Sequence, residues 1–470
     1  MPNILAHMVL IMWPVITIIL FKRLQPLQAV FWTIVAGHMF LPVKIVYDFP
    51  LVPPLNKGSI ASVCALFGCI VIKKLNISLI PPHGIARLIT IVLCVLPFFT
   101  VFTNTEAVFN GKWWIQGLSF KDAISFTLAQ YIDLIPLIIG IQLVKTEEDV
   151  KQLLKLLMYA GLVYSLFVLY EARMSPQLNR IFYGFVPPGW IQNIRMGGFR
   201  PFVFMGHGLW VATFIAVGLY ATIALWKAKI KTQGVPLFFA VLYMSLTLWF
   251  CKTLGAYILA IAFFLLIAMT PLGLVKRAAQ ILVVIVILYP TLSISHLFPH
   301  EEILEEVYEF NEERGQSLQV RFDNELALLE HAQKKYYFGW GGWARNRLHD
   351  SVTDGFWIIT LGIKGIVGFI CIFGLMSIAV LRGIKAAESL ESKEDKRLMY
   401  SLVIMVGLLM VDQIPNASIA GYIWFIIGGL LGASYHMIKK SEKENSKSSK
   451  FEAAFFKHKN NEYAQQRISQ

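Results

Sequence analysis

Charge is scarce in this chain. Asp, Glu, Lys and Arg make up 15% of its 470 residues, against roughly 25% in typical soluble proteins. The alternation of polar and apolar residues that is typical of membrane β-barrels is also missing. Apolar runs of about 17–25 residues recur instead, each long enough to cross a hydrocarbon core of about 30 Å. With 56% hydrophobic residues and a mean hydropathy of +0.61, the sequence predicts an all-α integral membrane protein.

Cysteine is rare as well. The 5 cysteines fall in or beside the apolar runs, and their spacing matches neither a disulfide framework nor a zinc site. The first residues lack the basic region and the cleavage site of a secretory signal peptide. We therefore expect an uncleaved first span, no cofactor and no bound metal.

The apolar runs predict a polytopic bundle of about 12–13 transmembrane helices. The two runs on either side of Lys252 are either two spans or one broken helix. The predicted spans are Ile4–Phe21, Leu27–Val46, Gly58–Ile72, Ile85–Phe102, Ala123–Val144, Leu153–Tyr170, Gly206–Trp226, Val235–Cys251, Leu254–Thr270, Ala278–Ser295, Gly355–Leu381, Leu398–Met410 and Ile419–Met437. Residues 1–438 thus form a membrane domain, and the polar residues 439–470 are expected to be a disordered tail.

Lys and Arg gather in every second connection between these spans, beginning with Lys22 and Arg23. Such connections face the cytoplasm in membrane proteins. We therefore predict a multi-pass protein of a bacterial inner (cytoplasmic) membrane, with an external N-terminus and a cytoplasmic C-terminus. The net charge of +13 follows from this topology, so that no nucleic-acid partner is expected.

Two of the predicted external connections are long, at residues 171–205 and 296–354. The second contains "HEEILEEVYEFNEERG" and then "RFDNELALLEHAQKKYYFGWGG". Both stretches have helical periodicity, and Arg321 can pair with Glu325 one turn later. The sequence therefore predicts a large, partly helical external loop, whose second helix ends at Gly339.

Several cations lie on the predicted external side, where the topology rule disfavours them. Four of them are Arg200, Lys252, Arg321 and Arg345. One interpretation is that the acidic helix of the long loop neutralises them. The other is that they bind an anion, since Arg suits bidentate recognition of phosphate. A lipid-linked diphosphate at the outer leaflet would fit this position.

Four stretches resemble the O-antigen ligase and O-antigen polymerase superfamily of bacterial membrane proteins. "SLTLWFCKTLGAYILAI" is similar to a basic turn between two spans, with Lys252 at the basic position. "VRFDNELALLEHAQKKYYFGWGG" resembles an Arg-containing helix closed by Gly-x-Gly, matched by Arg321, Gly339 and Gly341. "DGFWIITLGIKGIVGF" and "VDQIPNASIAGYIWFIIGGLLG" resemble the span after the large loop and the last span. The similarity covers roughly 198–432.

The resemblance implies a metal-independent glycosyltransferase of surface polysaccharide assembly. Its donor would be a polyprenyl-diphosphate-linked oligosaccharide and its acceptor a growing glycan, with a chain-length regulator as a further partner. We expect a polymerase of lipid-linked repeat units on the outer face of the inner membrane, working within the lipid bilayer. The alternatives are an O-antigen ligase that transfers glycan to another acceptor, and a transporter of lipid-linked oligosaccharides.

The resemblance also implies a catalytic His at a set distance before the paired glycines of the post-loop span. Asp354 occupies that position in this sequence, and His349 is the nearest histidine. Either residue is a candidate general base, although Asp354 is equally suited to capping the following helix. Arg200, Lys252, Arg321 and Arg345 are the candidate diphosphate ligands. Gly339, Gly341, Trp340 and Trp343 are the candidates for approaching the glycan, although the Trp residues also suit an interfacial belt.

Overall fold

The computed structural model describes residues 1–49, 52–82, 84–186, 193–195, 197–349, 351–352 and 354–468, with the side chains of 52, 195, 313, 445 and 447–468 left out. These residues contain 17 α-helices. The helices are α1 Ile4–Ile11, α2 Trp13–Arg23, α3 Pro26–Phe40, α4 Lys57–Phe67, α5 Gly84–Phe102, α6 Phe120–Leu143, α7 Glu147–Met174, α8 Leu178–Tyr183, α9 Gly208–Lys227, α10 Leu237–Phe250, α11 Leu254–Phe264, α12 Leu272–Ile294, α13 His300–Phe310, α14 Glu312–Gln333, α15 Phe356–Ser389, α16 Lys393–Asp412 and α17 Gly421–Ile468.

The strands are short and lie in the connections. They form three antiparallel pairs: β1 Tyr47–Phe49 with β2 Val52–Leu55, β3 Val108–Phe109 with β4 Trp114–Ile115, and β5 Ile194–Arg195 with β6 Gly198–Phe199. Because helices form almost all of the regular structure in the described residues, and several of them are long and apolar, the prediction of an all-α polytopic membrane protein is confirmed.

Among the described residues, 7 helices are long and apolar enough to cross a membrane, or up to 8 if the bent pair α1–α2 counts as one span. The shorter apolar helices are Lys57–Ile72, Leu237–Phe250 and Leu254–Met269. Each predicted span overlaps at least one helix, but the larger total of about 12–13 crossings stays a prediction. Around Lys252 the chain forms two helices, α10 and α11, joined by a tight turn.

The helices share a common end, where α3, α5, α7, α10, α12 and α16 finish and α4, α6, α9, α11, α15 and α17 begin. Hydrogen bonds tie these termini together. Phe356 N donates to Gln413 O at 2.9 Å, and Trp210 Nε1 donates to Ala417 O at 3.0 Å. We call this end, with the described residues of 175–207 and 295–355, the loop end. The connections rich in Lys and Arg lie at the other end of the helices.

The centre of the bundle is built on α9, α16 and the first part of α17, residues 421–438, whose side chains are mostly buried on all sides. Small residues permit close contact between helices there. The Cα atoms of Gly161 in α7 and Gly218 in α9 face each other, with no room for a side chain on either. Close backbone packing of this kind is the usual basis of helix association in membranes, where apolar burial alone gives little driving force.

Helix α15 is broken within its apolar run. Gly365 has φ +65°, which interrupts the helical hydrogen bonds. The segment Tyr336–Gly341 runs beside the break and restores them. Trp340 N donates to Gly362 O at 2.8 Å, Gly341 N donates to Ile363 O at 3.0 Å, and Ile366 N donates to Tyr336 O at 2.8 Å. Non-helical backbone at membrane depth is tolerated where protein covers it in this way.

We expect Gly365→Ala to destabilise the folded protein by more than about 3 kcal/mol. A side chain at this positive φ would collide with the backbone of Tyr337. Gly374→Ala is the matched control, because Gly374 lies in the same helix with nothing near its missing side chain. The thermal midpoint of purified protein and its yield in membranes would measure the effect. Equal stability of the two variants would contradict the account of the break.

The long connection after α12 contains two helices, α13 and α14, as the sequence predicts. Its boundaries differ from the prediction. Helix α14 begins at Glu312 because the Asn311 side chain caps it by accepting from Arg314 N, and it ends at Gln333, before Gly339. Helix α17 continues through residues 439–468, where the composition predicts a disordered tail. The side of the membrane on which the large loop lies stays a prediction.

Candidate functional site

Arg200 and Lys252, which are far apart in the sequence, meet at the loop end. Arg200 is 4% exposed, and its Nη2 donates to Thr253 Oγ1 at 3.0 Å. The ammonium of Lys252 lies over Gly198, with no room between them for a side chain. Lys252 has φ +50° in the turn between α10 and α11. The structure thus brings two of the four predicted anion ligands into one neighbourhood.

The segment that follows Arg200 is held by one buried carboxylate. Glu171 Oε2 accepts from Phe202 N at 2.9 Å and from Val203 N at 2.6 Å, while Oε1 accepts from Leu178 N at 2.9 Å. Three backbone donors on one carboxylate fix the path of the chain. Glu171 is therefore a residue that positions Arg200, and the sequence analysis did not single it out.

Lys57 holds the same segment from the opposite side. Its Nζ donates to Phe204 O at 3.1 Å and to His38 O at 2.9 Å. No acidic side chain lies within ion-pair distance of it among the described residues. The ring of His38 packs on Tyr422, with centroids 4.9 Å apart. The sequence feature that could have identified Lys57 is its position at the boundary of an apolar run.

Arg321 faces Asp354 and does not face Glu325. Its Nε lies 3.8 Å from Asp354 Oδ2, with the two side chains 40% and 47% exposed. Glu325 has other partners, so the predicted pair of Arg321 with Glu325 is wrong. The capping role considered for Asp354 is wrong too, because α15 begins at Phe356 with Gly355 as its N-cap residue, and no side-chain cap is present there among the described residues.

Glu325 is buried beneath the loop. Its Oε1 accepts from the hydroxyls of Tyr289 and Ser293, at 2.7 and 3.2 Å, and its Oε2 accepts from Trp357 Nε1 at 3.3 Å. Burial raises the pKa of this carboxyl, and the hydrogen bonds oppose that shift. These contacts fasten α14 to α12 and to the start of α15, which sets the position of Arg321 one turn away.

Arg345 is inside the protein, not at an accessible surface. Its Nη1 donates to the backbone carbonyls of Glu106 and Gln116, at 3.1 and 2.9 Å. The Glu106 carboxylate lies 3.9 Å from Nη2 and 2.7 Å from the Lys335 ammonium. The hydrogen bond from Lys335 lowers the pKa of Glu106. These partners join the large loop to the connection after α5. Because its guanidinium already faces two carbonyls and a carboxylate, Arg345 is poorly placed for diphosphate.

His349 lies against the β3–β4 hairpin. Its ring meets the edge of Trp113 at a centroid distance of 6.2 Å, and its Cβ lies next to Gly111. His349 thus lies against this hairpin, whereas Asp354 faces Arg321 of α14. Residues 350 and 353, which lie between the two candidates, are outside the described residues.

The two Trp residues of the glycine-rich stretch differ. Trp340 is buried and stacks flat on His331, with centroids 4.5 Å apart, so its ring is not presented to a glycan. Trp343 is 55% exposed, and its Nε1 donates to Asp122 Oδ1 at 3.1 Å. Gly339 and Gly341 both have positive φ and bring the backbone against the break in α15. Gly339, Trp340 and Gly341, which were expected to approach a glycan, are therefore buried in the protein, whereas Trp343 is exposed.

A second polar cluster lies at the break itself. The Lys364 ammonium donates to Gln130 Oε1 of α6, and Asp133 follows on α6 near enough to interact electrostatically with Lys364. Asp133 is exposed and Lys364 is half-buried, and both lie on helices that are mostly apolar. An ionisable residue at this depth in a membrane protein is a functional candidate by default.

The loop end thus offers cations, an exposed carboxylate and an imidazole, all outside the apolar spans. Within the described part of the chain, no group of three or more His, Cys, Asp or Glu residues is arranged to hold a metal ion. Groups of these types can bind an anion and accept a proton from a hydroxyl. No family model matches this chain, and no curated protein matches it significantly.

Proposed function

We propose that this chain is a membrane glycosyltransferase of surface polysaccharide assembly, which polymerises lipid-diphosphate-linked oligosaccharide repeat units. The site would be the loop end, on the outer face of a bacterial inner membrane. The proposal rests on the resemblance of residues 198–432 to O-antigen ligases and polymerases. It also rests on the cations at the loop end, which suit a diphosphate.

The contact of Arg200 with the turn that carries Lys252 is the observation that supports the proposal most. The two residues belong to different connections, and each is placed by its own contacts. Arg200 is buried, and a guanidinium out of water binds phosphate oxygens more strongly than an exposed one. Arg321 supplies a third cation at the same end, on a helix that Glu325 fastens to the bundle.

The chemistry needs a base and an anion clamp. The acceptor hydroxyl attacks the anomeric carbon of the donor sugar, and a new glycosidic bond forms as the bond to the diphosphate oxygen breaks. The bonding electrons leave with the lipid diphosphate, whose growing charge Arg200, Lys252 and Arg321 would stabilise. His349 or Asp354 would take the hydroxyl proton. The Arg321–Asp354 contact would couple the clamp to one of the candidate bases.

Transport of lipid-linked oligosaccharide is the second candidate, and a different observation favours it. Broken helices with charged residues near the middle of the membrane are typical of transporters. The break at Gly365, with Lys364 and Asp133 beside it, has this character. The polymerase proposal uses the loop end, whereas a transporter would use the ionisable residues at this break.

Deleting the gene in its native host separates these possibilities. If the chain is a polymerase, we expect surface polymer to be lost and single repeat units to accumulate on their lipid carrier at the outer face. A ligase defect would leave long polymer on the carrier, and a transport defect would leave repeat units on the cytoplasmic face. Accessibility of the carrier-linked glycan to an added lectin in intact spheroplasts would measure this. Wild-type polymer in the deletion strain would contradict all three.

A further inference from the structure

Asp412, the last residue of α16, is a buried carboxylate without a cationic partner. It is 6% exposed. Asn416 Nδ2 donates to its Oδ1 at 2.8 Å, and the hydroxyls of Ser418 and Thr213 donate to its Oδ2 at 2.8 and 3.3 Å. All three donors are neutral. No Lys, Arg or His nitrogen lies within ion-pair distance of Asp412 among the residues that the structure describes.

The donors around Asp412 suit an ionised carboxylate. Ser418 Oγ already accepts from Gln413 Nε2 at 2.7 Å, which leaves its own proton for Asp412. Neutral hydrogen bonds stabilise a buried charge without cancelling it. Buried charges in proteins are usually paired or bound to metal ions. The surroundings of Asp412 therefore lack one positive charge.

A small cavity lies where that charge would fit. Asp412, Thr213 and Tyr220 line it together with apolar residues of α9, α11 and α16. The centre of a water-sized sphere can occupy about 10 Å³ of this cavity. That is close to the space that one water molecule or one small bare ion needs. The Tyr220 hydroxyl has no hydrogen-bond partner among the described residues, so its oxygen is available to a ligand.

We propose that this cavity binds one sodium ion, held by the Asp412 carboxylate and by the hydroxyl oxygens of Thr213 and Tyr220. Oxygen ligands are those that hard cations prefer, and one carboxylate matches one positive charge. The proposal goes beyond the proposed enzymatic function and does not depend on it.

Occupation of this site would stabilise the loop end. The connection from Asp412 to Ser418 carries the carbonyls of Gln413 and Asn416, which both accept from Phe356 N at the start of α15, at 2.9 and 2.8 Å. The same connection accepts from Trp210 Nε1 of α9 through Ala417 O. An ion on Asp412 therefore supports the meeting point of α9, α15, α16 and α17.

The test is the thermal unfolding midpoint of the full-length protein, purified in detergent, as sodium chloride replaces choline chloride at constant ionic strength. We expect the midpoint of the wild type to rise with sodium and to saturate, because an ion that binds only the folded state stabilises it. Asp412→Asn should lose the rise. Thr213→Val should raise the half-saturating sodium concentration about tenfold, or about 1.4 kcal/mol.

Thr222→Val is the matched control. Thr222 is another buried threonine of α9, and its hydroxyl donates to Gly218 O within the helix at 2.7 Å, so the sodium response should be unchanged. If Asp412→Asn does not fold, Tyr220→Phe and Thr213→Val carry the test. The proposal is overturned if wild-type stability is the same in sodium and in choline. A stability that changes with pH but not with sodium would also overturn it, because Asp412 would then hold a proton.

Discussion

Arg321→Ala is expected to abolish polymer formation while the protein stays in the membrane at its wild-type level. Removing one preorganised group that stabilises transition-state charge lowers rates by about 10²–10³-fold. The stability should hardly change, because the Arg321–Asp354 pair is substantially exposed, and such pairs contribute only about 0–1 kcal/mol. Polymer from cells, separated by size on a gel, and protein in isolated membranes would be measured together.

Two further variants sharpen this prediction. Arg321→Lys keeps the charge but loses the planar fork, so we expect poor rescue if the diphosphate is bound through two nitrogens. Arg314→Ala is the matched control, since Arg314 is exposed near the start of the same helix, α14, and it should make normal polymer. Normal polymer from Arg321→Ala would show that Arg321 forms only a surface ion pair and does not bind the diphosphate.

His349→Gln is expected to stop polymer formation, with the fold intact. Imidazole suits proton transfer near neutral pH better than a solvated carboxylate does, and His349 lies against the surface hairpin at Trp113 and Gly111. Asp354→Asn should be impaired but active, because it loses the charge that faces Arg321. His296→Asn, a change of another exposed histidine in the same connection, should be silent.

The two substitutions distinguish the candidate bases. If Asp354 is the base, Asp354→Asn should be the inactive variant. Helix capping cannot account for such a loss, because Asp354 does not cap α15. Polymer of normal amount and length from His349→Gln would exclude His349 as the base.

The sequence predicts the helices well because each needs only a local signal. Runs of apolar residues long enough to span a membrane mark the bundle, and helical periodicity marks α13 and α14. The break in α15 is a different matter. Gly365 lies in a long apolar run that only Lys364 interrupts, and the break depends on hydrogen bonds from Trp340 and Gly341. Those contacts are tertiary, and no local pattern shows them.

The sequence predicts which types of residue form the candidate site better than it predicts how those residues are arranged. The position of Arg200 and Lys252 near the ends of spans can be predicted from the apolar runs, but their contact through Thr253 follows from packing. Arg345 has the same sequence signal as Arg321, yet it is buried against carbonyl groups. Glu171, Lys57 and Asp412 were missed although each is an ionisable residue beside an apolar run, a signal that deserves more weight in membrane proteins.

The measurement that tests the central claim most directly uses the purified protein in liposomes, with a polyprenyl-diphosphate-linked repeat unit as the only substrate. We predict that the wild type converts single repeat units into longer glycans and releases polyprenyl diphosphate in step with each bond, without added nucleotide sugar. Arg321→Ala should leave the substrate unchanged, and Arg314→Ala should react as the wild type does. Active folded protein that binds the substrate but forms no glycosidic bond, or that only moves it across the bilayer, would contradict the account.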